Sequence, residues 1–244
     1  MEFRDEELLI TVLAGLIEGA RHVAVGAASP IPAAAALLAQ ATGAAPLRVT
    51  VLHSRRQNHF TDGGRELFDS AGQGRVDTFF LGGVQIDGQA NINLVGTGDY
   101  PNTTRRFPGS FGSAFMYFTV PRVILFREEH SRRVLVPRVD FVSAPGTSPA
   151  NVKRPGGPRW LVTGKAVFAF DPARRRFRLE RRHPGHGLEE LRDETGFDFD
   201  VSENLAETAP PSPEQLDLVR GRIAQEIAEP YPAFAQRLFG VAAA

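Results

Sequence analysis

RHVAVGAASPIPAAAALLAQATGAAPLRVTVLHS, residues 21–54, reads as a strand, a helix and a second strand in one span. RHVAVGA is a short apolar run. Ser29 stands before Pro30, an N-cap residue followed by a proline suited to the first turn of a helix. Ala33 to Ala41 is rich in strong helix formers, and Gly43 closes it. LRVTVL, residues 47–52, is the second strand, and the chain then turns polar at once through His53, Ser54, Arg55 and Arg56. Two short strands joined by a helix make a parallel unit, so the expected class is α/β. Ligands in such folds sit outside the carboxyl ends of strands, which directs attention to VTVLHS.

The pattern extends in both directions. Leu8, Leu9, Val12, Leu13, Leu16 and Ile17 recur at helical spacing between Asp5 and Glu18, and Gly19 stops them. Downstream, residues 55–74 are polar, with a short helix expected near Arg65 to Ser70. Val76 to Leu81 is a third strand. Gly88 to Gly112 carries few apolar runs and reads as a long loop, a length that in a compact domain is usually either functional or a misreading of short elements. Arg122 to Phe126 is a strand, and Arg133 to Val142 a further extended piece. Trp160 to Glu180 reads as a hairpin turning at Asp171-Pro172. A short helix is expected at Leu188 to Thr195, an exposed strand at Gly196 to Asp200, and a helix from Pro213 to Ala228 behind a proline-rich link. There is no internal repeat. The expectation is one domain over residues 1–244, with the hairpin and closing helix from about residue 158.

Composition narrows the classes. With 28 Lys plus Arg against 28 Asp plus Glu, the chain is formally neutral and lacks the basic footprint of a nucleic-acid binder. It has no cysteine, which excludes disulfides, thiolate nucleophiles and Cys-ligated zinc. The six histidines form no H-E-x-x-H or H-x-H spacing, so no metal is expected. The acidic start and the short apolar stretch after it suit neither a signal peptide nor a membrane span. No membrane partner is expected, and a cytoplasmic setting is the default.

Three features could carry chemistry. GGVQIDGQANINLVGTGDY offers Gly82 and Gly83 for close backbone approach, with Asn91 and Asn93 nearby, either lining a ligand or bonding a tight turn. It contains no dinucleotide or P-loop pattern. PGSFGSAF places Gly109, Ser110, Gly112 and Ser113 ahead of a helix, as an anion-stabilising lead-in or a cap. Among the histidines, His53 alone stands at a strand end, while His183 and His186 flank Pro184-Gly185 and read as solvated. The run Arg174, Arg175, Arg176, Arg178, Arg181 and Arg182 alternates with Phe177 and Leu179, as on a strand with one wet face.

Residues 80–146, beginning FLGGVQIDGQANINLVGTGDYPNTTRRFPGSFGSAF and ending VDFVSAPG, resemble the CoA-transferase family of the glutaconate β-subunit type. The matching positions are Gly82, Gly83, Gln85, Ile86, Asp87, Asn91 and Asn93, then Gly109, Ser110, Gly112, Arg132, Arg133, Asp140 and Pro145-Gly146. GPRWLVTGKAVFAFD and ETGFDFDVSENLAETAPPSPEQLDLVR match in style, so the likeness runs from about His22 to Arg220. It implies a NagB/RpiA/CoA-transferase type fold, with a mostly parallel sheet and helices on both faces. It also implies an α-subunit partner, an acyl-CoA substrate, coenzyme A as co-substrate and no other cofactor. Gly82, Gly83, Asn91, Asn93, Gly109, Ser110 and Gly112 become implied substrate- or CoA-binding residues.

In that family a β-subunit glutamate attacks the thioester. Aligned by the strand, its place falls on Leu52, with His53 beside it, and neither is a carboxylate. Imidazole can act as a base toward water but cannot form a glutamyl-CoA thioester. Glu66 is the nearest glutamate downstream. Phe111 stands where the family pattern has glycine, and Ala90 where a glycine often precedes the first asparagine. Three activities follow as expectations: a transferase β subunit, a glutamate-less relative catalysing hydrolysis or ring cleavage with the α subunit, or a non-catalytic stabilising subunit.

Overall fold

The helix that opens at Ser29-Pro30 is buried nearly all round, with Ile31, the Ala33–Ala36 run, Leu37 and Leu38 closed to solvent. A helix apolar on every face belongs inside a core rather than at its edge. In the computed structural model, which describes residues 2–242, this helix is the centre of the first of two compact units.

That unit comprises the chain up to Phe80 together with the residues from Ala209 onward. It opens with α1 (Asp5–Leu16), β1 (His22–Val25), α2 (Pro30–Thr42), β2 (Arg48–Val51), α3 (Gly63–Gly72) and β3 (Thr78–Leu81). β1 lies between β2 and β3 and is parallel to both, with Val25 opposite Val51 and Ala24 opposite both Thr50 and Phe79. The βαβ expectation for residues 21–54 therefore holds, and it sets the carboxyl ends of β1 and β2 side by side.

The second unit, Leu81–Thr208, starts with short pieces: β4 (Gln85–Ile86), β5 (Ile92–Asn93), β6 (Gly96–Thr97) and β7 (Arg105–Arg106). β4 pairs with β5 and β6 with β7, both antiparallel. The stretch whose composition suggests one long loop is thus two small hairpin-like pairs. α4 (Ser113–Thr119), β8 (Arg122–Arg127), β9 (Pro158–Thr163), β10 (Ala166–Asp171), β11 (Arg176–Arg182), α5 (Leu188–Glu194) and β12 (Asp200–Glu207) follow. Their order is β12-β11-β10-β9-β8. β8–β9 and β11–β12 are parallel, and the expected hairpin β9–β10–β11 is antiparallel. Of these six neighbour relations, two within the first unit and four within the second, four are parallel, in line with a mostly parallel arrangement.

Two extended expectations are corrected. Arg133–Val142 forms no strand; it is held by turns and by an isolated bridge from Leu135 to Ile86. The strand expected at 196–200 begins only at Asp200 and runs to Glu207, where parallel pairing with β11 overrides a polar, non-alternating sequence.

The chain then returns to the first unit through α6 (Pro213–Leu218), a π-helical turn at Val219–Ile223, α7 (Ala224–Ala228) and α8 (Pro232–Phe239). Ser212 caps α6 by accepting from the Gln215 N–H. The π turn and α7 pack on α2. No helix among the described residues is long and apolar enough to cross a membrane.

Candidate functional site

The carboxyl end of β2 closes in a tight turn. The Ser54 N–H donates to Val51 O at 2.9 Å, and the Val51 N–H to Gln57 O at 3.1 Å. Leu52 is half-buried and its N–H reaches Val25 O at the end of β1. His53 is exposed, its ring 5.7 Å from that of Tyr231. Ser54 is buried and organises the turn, accepting from the Arg56 and Gln57 N–H groups at 3.1 and 2.9 Å.

A carboxylate does stand at this strand end, and it comes from just beyond α7. Glu229 Oε2 accepts from the Ser54 hydroxyl at 2.6 Å, and Oε1 accepts from the Arg55 N–H at 3.0 Å. Burial works to raise its pKa, but the Ser54 and Arg55 bonds outweigh that and hold the carboxyl below its ordinary value. Tyr231 completes the arrangement: its hydroxyl donates to Gly26 O at 3.3 Å and accepts from the Ser29 N–H at 3.4 Å. The segment Glu229–Tyr231 thus grips the turns after both β1 and β2. Sequence reasoning misses Glu229 because nothing near it in the chain points to residue 54. Its one local signal is the EPYP interruption between two helices.

Glu66 lies elsewhere in this unit, half-buried in the first turn of α3. Its Oε2 accepts from the Thr61 N–H at 2.6 Å, the Thr61 hydroxyl at 3.1 Å and the Asp62 N–H at 3.3 Å. These bonds, the Thr61 N–H first, lower its pKa. It braces the turn that leads into α3.

In the second unit the glycine and asparagine segment is a polar knot. Asn93 is fully buried and uses its whole amide: Nδ2 donates to Gln85 Oε1 and Gly96 O, and Oδ1 accepts from the Val95 and Gly96 N–H groups. Asn91 is half-buried, donating to Asp87 Oδ2 at 3.1 Å and accepting from the Gly146 N–H at 3.1 Å. Gln85 and Asp140 exchange two bonds of 3.0 Å. Gly82 and Gly83 enter this knot; a Cβ on Gly83 would lie 2.7 Å from Gln85 O, too close to be tolerated.

Residues 109–113 present a different picture. Gly109 has φ +103°, a conformation reserved for glycine. Ser110 and Gly112 are half-buried. Phe111 has φ +42° and is 89% exposed, an unusual state for an aromatic residue. The Ser113 hydroxyl is buried and has no hydrogen-bond partner among the described residues.

Also in this unit, His183 is 2% exposed rather than solvated, and His130 is buried near it. His183 bonds Thr208 Oγ1 and Thr163 O, and His130 bonds Thr163 Oγ1 and Thr195 Oγ1. Among the described residues no group of three or more His, Asp or Glu side chains is placed to hold a metal ion.

Residues 18–193 match the family model described as Coenzyme A transferase. The chain is 34% identical over 164 residues to the β subunit of glutaconate CoA-transferase from Acidaminococcus fermentans, covering 64% of this chain and 59% of that protein. It is 28% identical over 160 residues to the cholesterol ring-cleaving hydrolase IpdB subunit of Rhodococcus jostii, covering 64% and 62%. The match therefore spans about three fifths of these relatives' length. The solved structure of the decarboxylase AibA/AibB superposes with a TM-score of 0.77 at 26% identity, over 98% of this chain and all of that one. A transferase, a hydrolase and a decarboxylase share the fold, so the reaction is a matter of the site.

Proposed function

The chain belongs to the coenzyme A transferase family, and from that premise we propose that it is the β-type subunit of a two-subunit enzyme acting on an acyl-CoA thioester. The observation that carries this reading is the braced turn after β2, where Leu52, His53 and Ser54 follow the strand and Glu229 and Tyr231 hold them. It occupies the place where the family resemblance puts the reacting group. Gly82, Gly83, Asn91, Gly109, Ser110 and Gly112 serve the acyl-CoA in this reading, and Asn93 shapes the loop that carries them. The enzyme works in the cytoplasm, with an α-type subunit as partner and coenzyme A as co-substrate rather than resident cofactor.

The residues after β2 favour a second reading of the chemistry. A transferase of this family needs a carboxylate free to attack the thioester carbonyl and later to carry coenzyme A. Leu52 and His53 offer none, and both oxygens of Glu229 are already accepting hydrogen bonds. Exposed His53 is suited to activating water as a general base. Hydrolysis or C–C cleavage, with any carboxylate chemistry supplied by the partner, fits these side chains better than transfer through a glutamyl-CoA on this chain.

The test is a trapping experiment. This chain is co-expressed with its candidate α subunit, incubated with an acyl-CoA, treated with borohydride or hydroxylamine, and mapped by mass spectrometry. An unmodified chain with free acid or ring-opened product supports hydrolysis or cleavage. A modified glutamate on this chain restores the transferase reading. No turnover of any acyl-CoA leaves a stabilising role.

A further inference from the structure

In the second unit, the segment between β8 and β9 and the tip of the β10–β11 hairpin line an open cavity of about 340 Å³. Arg154, Arg159 and Arg175 line it, and no Asp or Glu does. The sequence explains the bias: residues 141–170 contain Lys153, Arg154, Arg159 and Lys165 and no acidic residue.

Arg154 is a half-buried cation with no carboxylate against it. Its Nε donates to Gly156 O at 2.9 Å, Nη1 to Pro145 O at 2.8 Å and Nη2 to Tyr117 O at 2.8 Å. The guanidinium lies 5.2 Å from the Tyr117 ring centroid and 5.7 Å from that of Phe118. Taking a charge out of water without a counter-charge is unfavourable, and an anion entering the cavity would relieve it. Arg175 adds an independent observation. Its neighbours Arg174 and Arg176 both pair with Asp200, while Arg175 sits at φ +51° in the hairpin turn and lines the cavity. Glycine or asparagine would occupy that backbone without strain, so an arginine held there is a candidate for a binding role. Thr147 and Ser148 line the same pocket.

We infer that this cavity is a binding site for a phosphate ester, with Arg154, Arg159 and Arg175 supplying the cations and Thr147 and Ser148 the hydroxyl donors. Arginine forks match phosphate oxygens in pairs. The volume suits a phosphate-bearing part of a ligand. Coenzyme A and a free nucleotide present the same oxygens; with coenzyme A as ligand the site rests on the acyl-CoA reading, and with a nucleotide it is separate from it.

The test uses the purified full chain and titrates coenzyme A and ATP separately by calorimetry, against wild type and R159E/R175E. Both replaced side chains are exposed, and neither belongs to the three-carbonyl knot of Arg154. The expected result is binding that weakens with added salt and falls at least about tenfold in the double variant, with the melting temperature unchanged. Tighter binding of coenzyme A makes the coenzyme the source, and tighter ATP binding makes it a nucleotide. Equal affinity in wild type and variant overturns the proposal, as does failure of both probes to bind wild type. Absence of acyl-CoA turnover in the two-subunit complex would defeat the functional reading alone, and charge-dependent binding here would survive it.

Discussion

The Ser54 hydroxyl donates to Glu229 Oε2 at 2.6 Å, joining residues 175 positions apart. This bond converts the polar turn after β2 from a surface loop into a fixed element. Ser54 is at once the donor to Glu229 and the acceptor for the Arg56 and Gln57 N–H groups. The carboxylate therefore acts through Ser54 on the conformation of the whole turn, and so on where His53 stands.

Replacing Glu229 tests this directly. Glu229→Ala leaves the buried Ser54 hydroxyl and the Arg55 N–H without their acceptor, at a cost of about 1–3 kcal/mol. Glu229→Gln keeps the shape and an acceptor oxygen, and is expected to cost less than half as much. Urea denaturation of the two variants measures the difference. Equal losses would mean that the carboxylate's charge matters more than its oxygens.

The buried histidines set the acid limit. Burial pushes the pKa of both His130 and His183 down to about 4. In the unfolded chain an imidazole titrates near 6.5, so between about pH 6.5 and 4 the unfolded state takes up protons that the folded state refuses. Stability is expected to be full above pH 6.5 and to drain as pH falls to 4, by up to about 3 kcal/mol per histidine. Melting temperatures at pH 7.5, 6 and 5 follow the loss. A flat profile over that range would show that these rings are protonated within the fold.

The parts of the fold visible in the sequence are those with a local signal. Apolar spacing predicts α1 over Asp5–Glu18 and the helix runs Asp5–Leu16, while β2 and the β9–β10–β11 hairpin announce themselves through apolar runs and a turn. The two-residue strands between Gln85 and Arg106 are too short for any period to register. α8 escapes the sequence reading, because the prolines of EPYP look like an ending although Pro232 opens a new helix. At the site, His53 is legible through its position at a strand end. Glu229 and Tyr231 are not, since a contact closed across the whole chain leaves no trace in spacing.

Glu7 and Arg220 predict an asymmetry. Glu7 is 0% exposed and receives the Arg220 guanidinium at 2.6 and 2.8 Å, from the π-helical turn. Burial works to raise its pKa, and the Arg220 bonds outweigh it and keep the carboxyl ionised. Arg220→Ala strands a buried carboxylate and is expected to cost about 3 kcal/mol. Glu7→Gln leaves only a partly exposed arginine, which water can solvate, and should cost about 1 kcal/mol. Guanidinium denaturation of both variants and of the double variant decides it. Removing Glu7 in the Arg220→Ala background should restore part of the loss.

Phe111 concerns strain. A non-glycine residue at φ +42° is expected to carry about 1–2 kcal/mol of backbone cost. At an ordinary loop position, substitution by glycine loosens the unfolded chain and destabilises by about 0.5–1 kcal/mol. Here relief of the strain works the other way, so Phe111→Gly should be as stable as wild type or up to about 1 kcal/mol more stable. Phe111→Ala keeps the Cβ, and with it the strain, and should gain nothing. Urea midpoints of the two variants separate the effects. If the ring also covers the acyl group, Phe111→Gly raises KM for a bulky apolar acyl-CoA and leaves KM for a short one unchanged. A glycine variant less stable than the alanine one would mean that the turn carries no strain for glycine to relieve, and an equal loss in both variants would mean that contacts of the aromatic ring fix this turn.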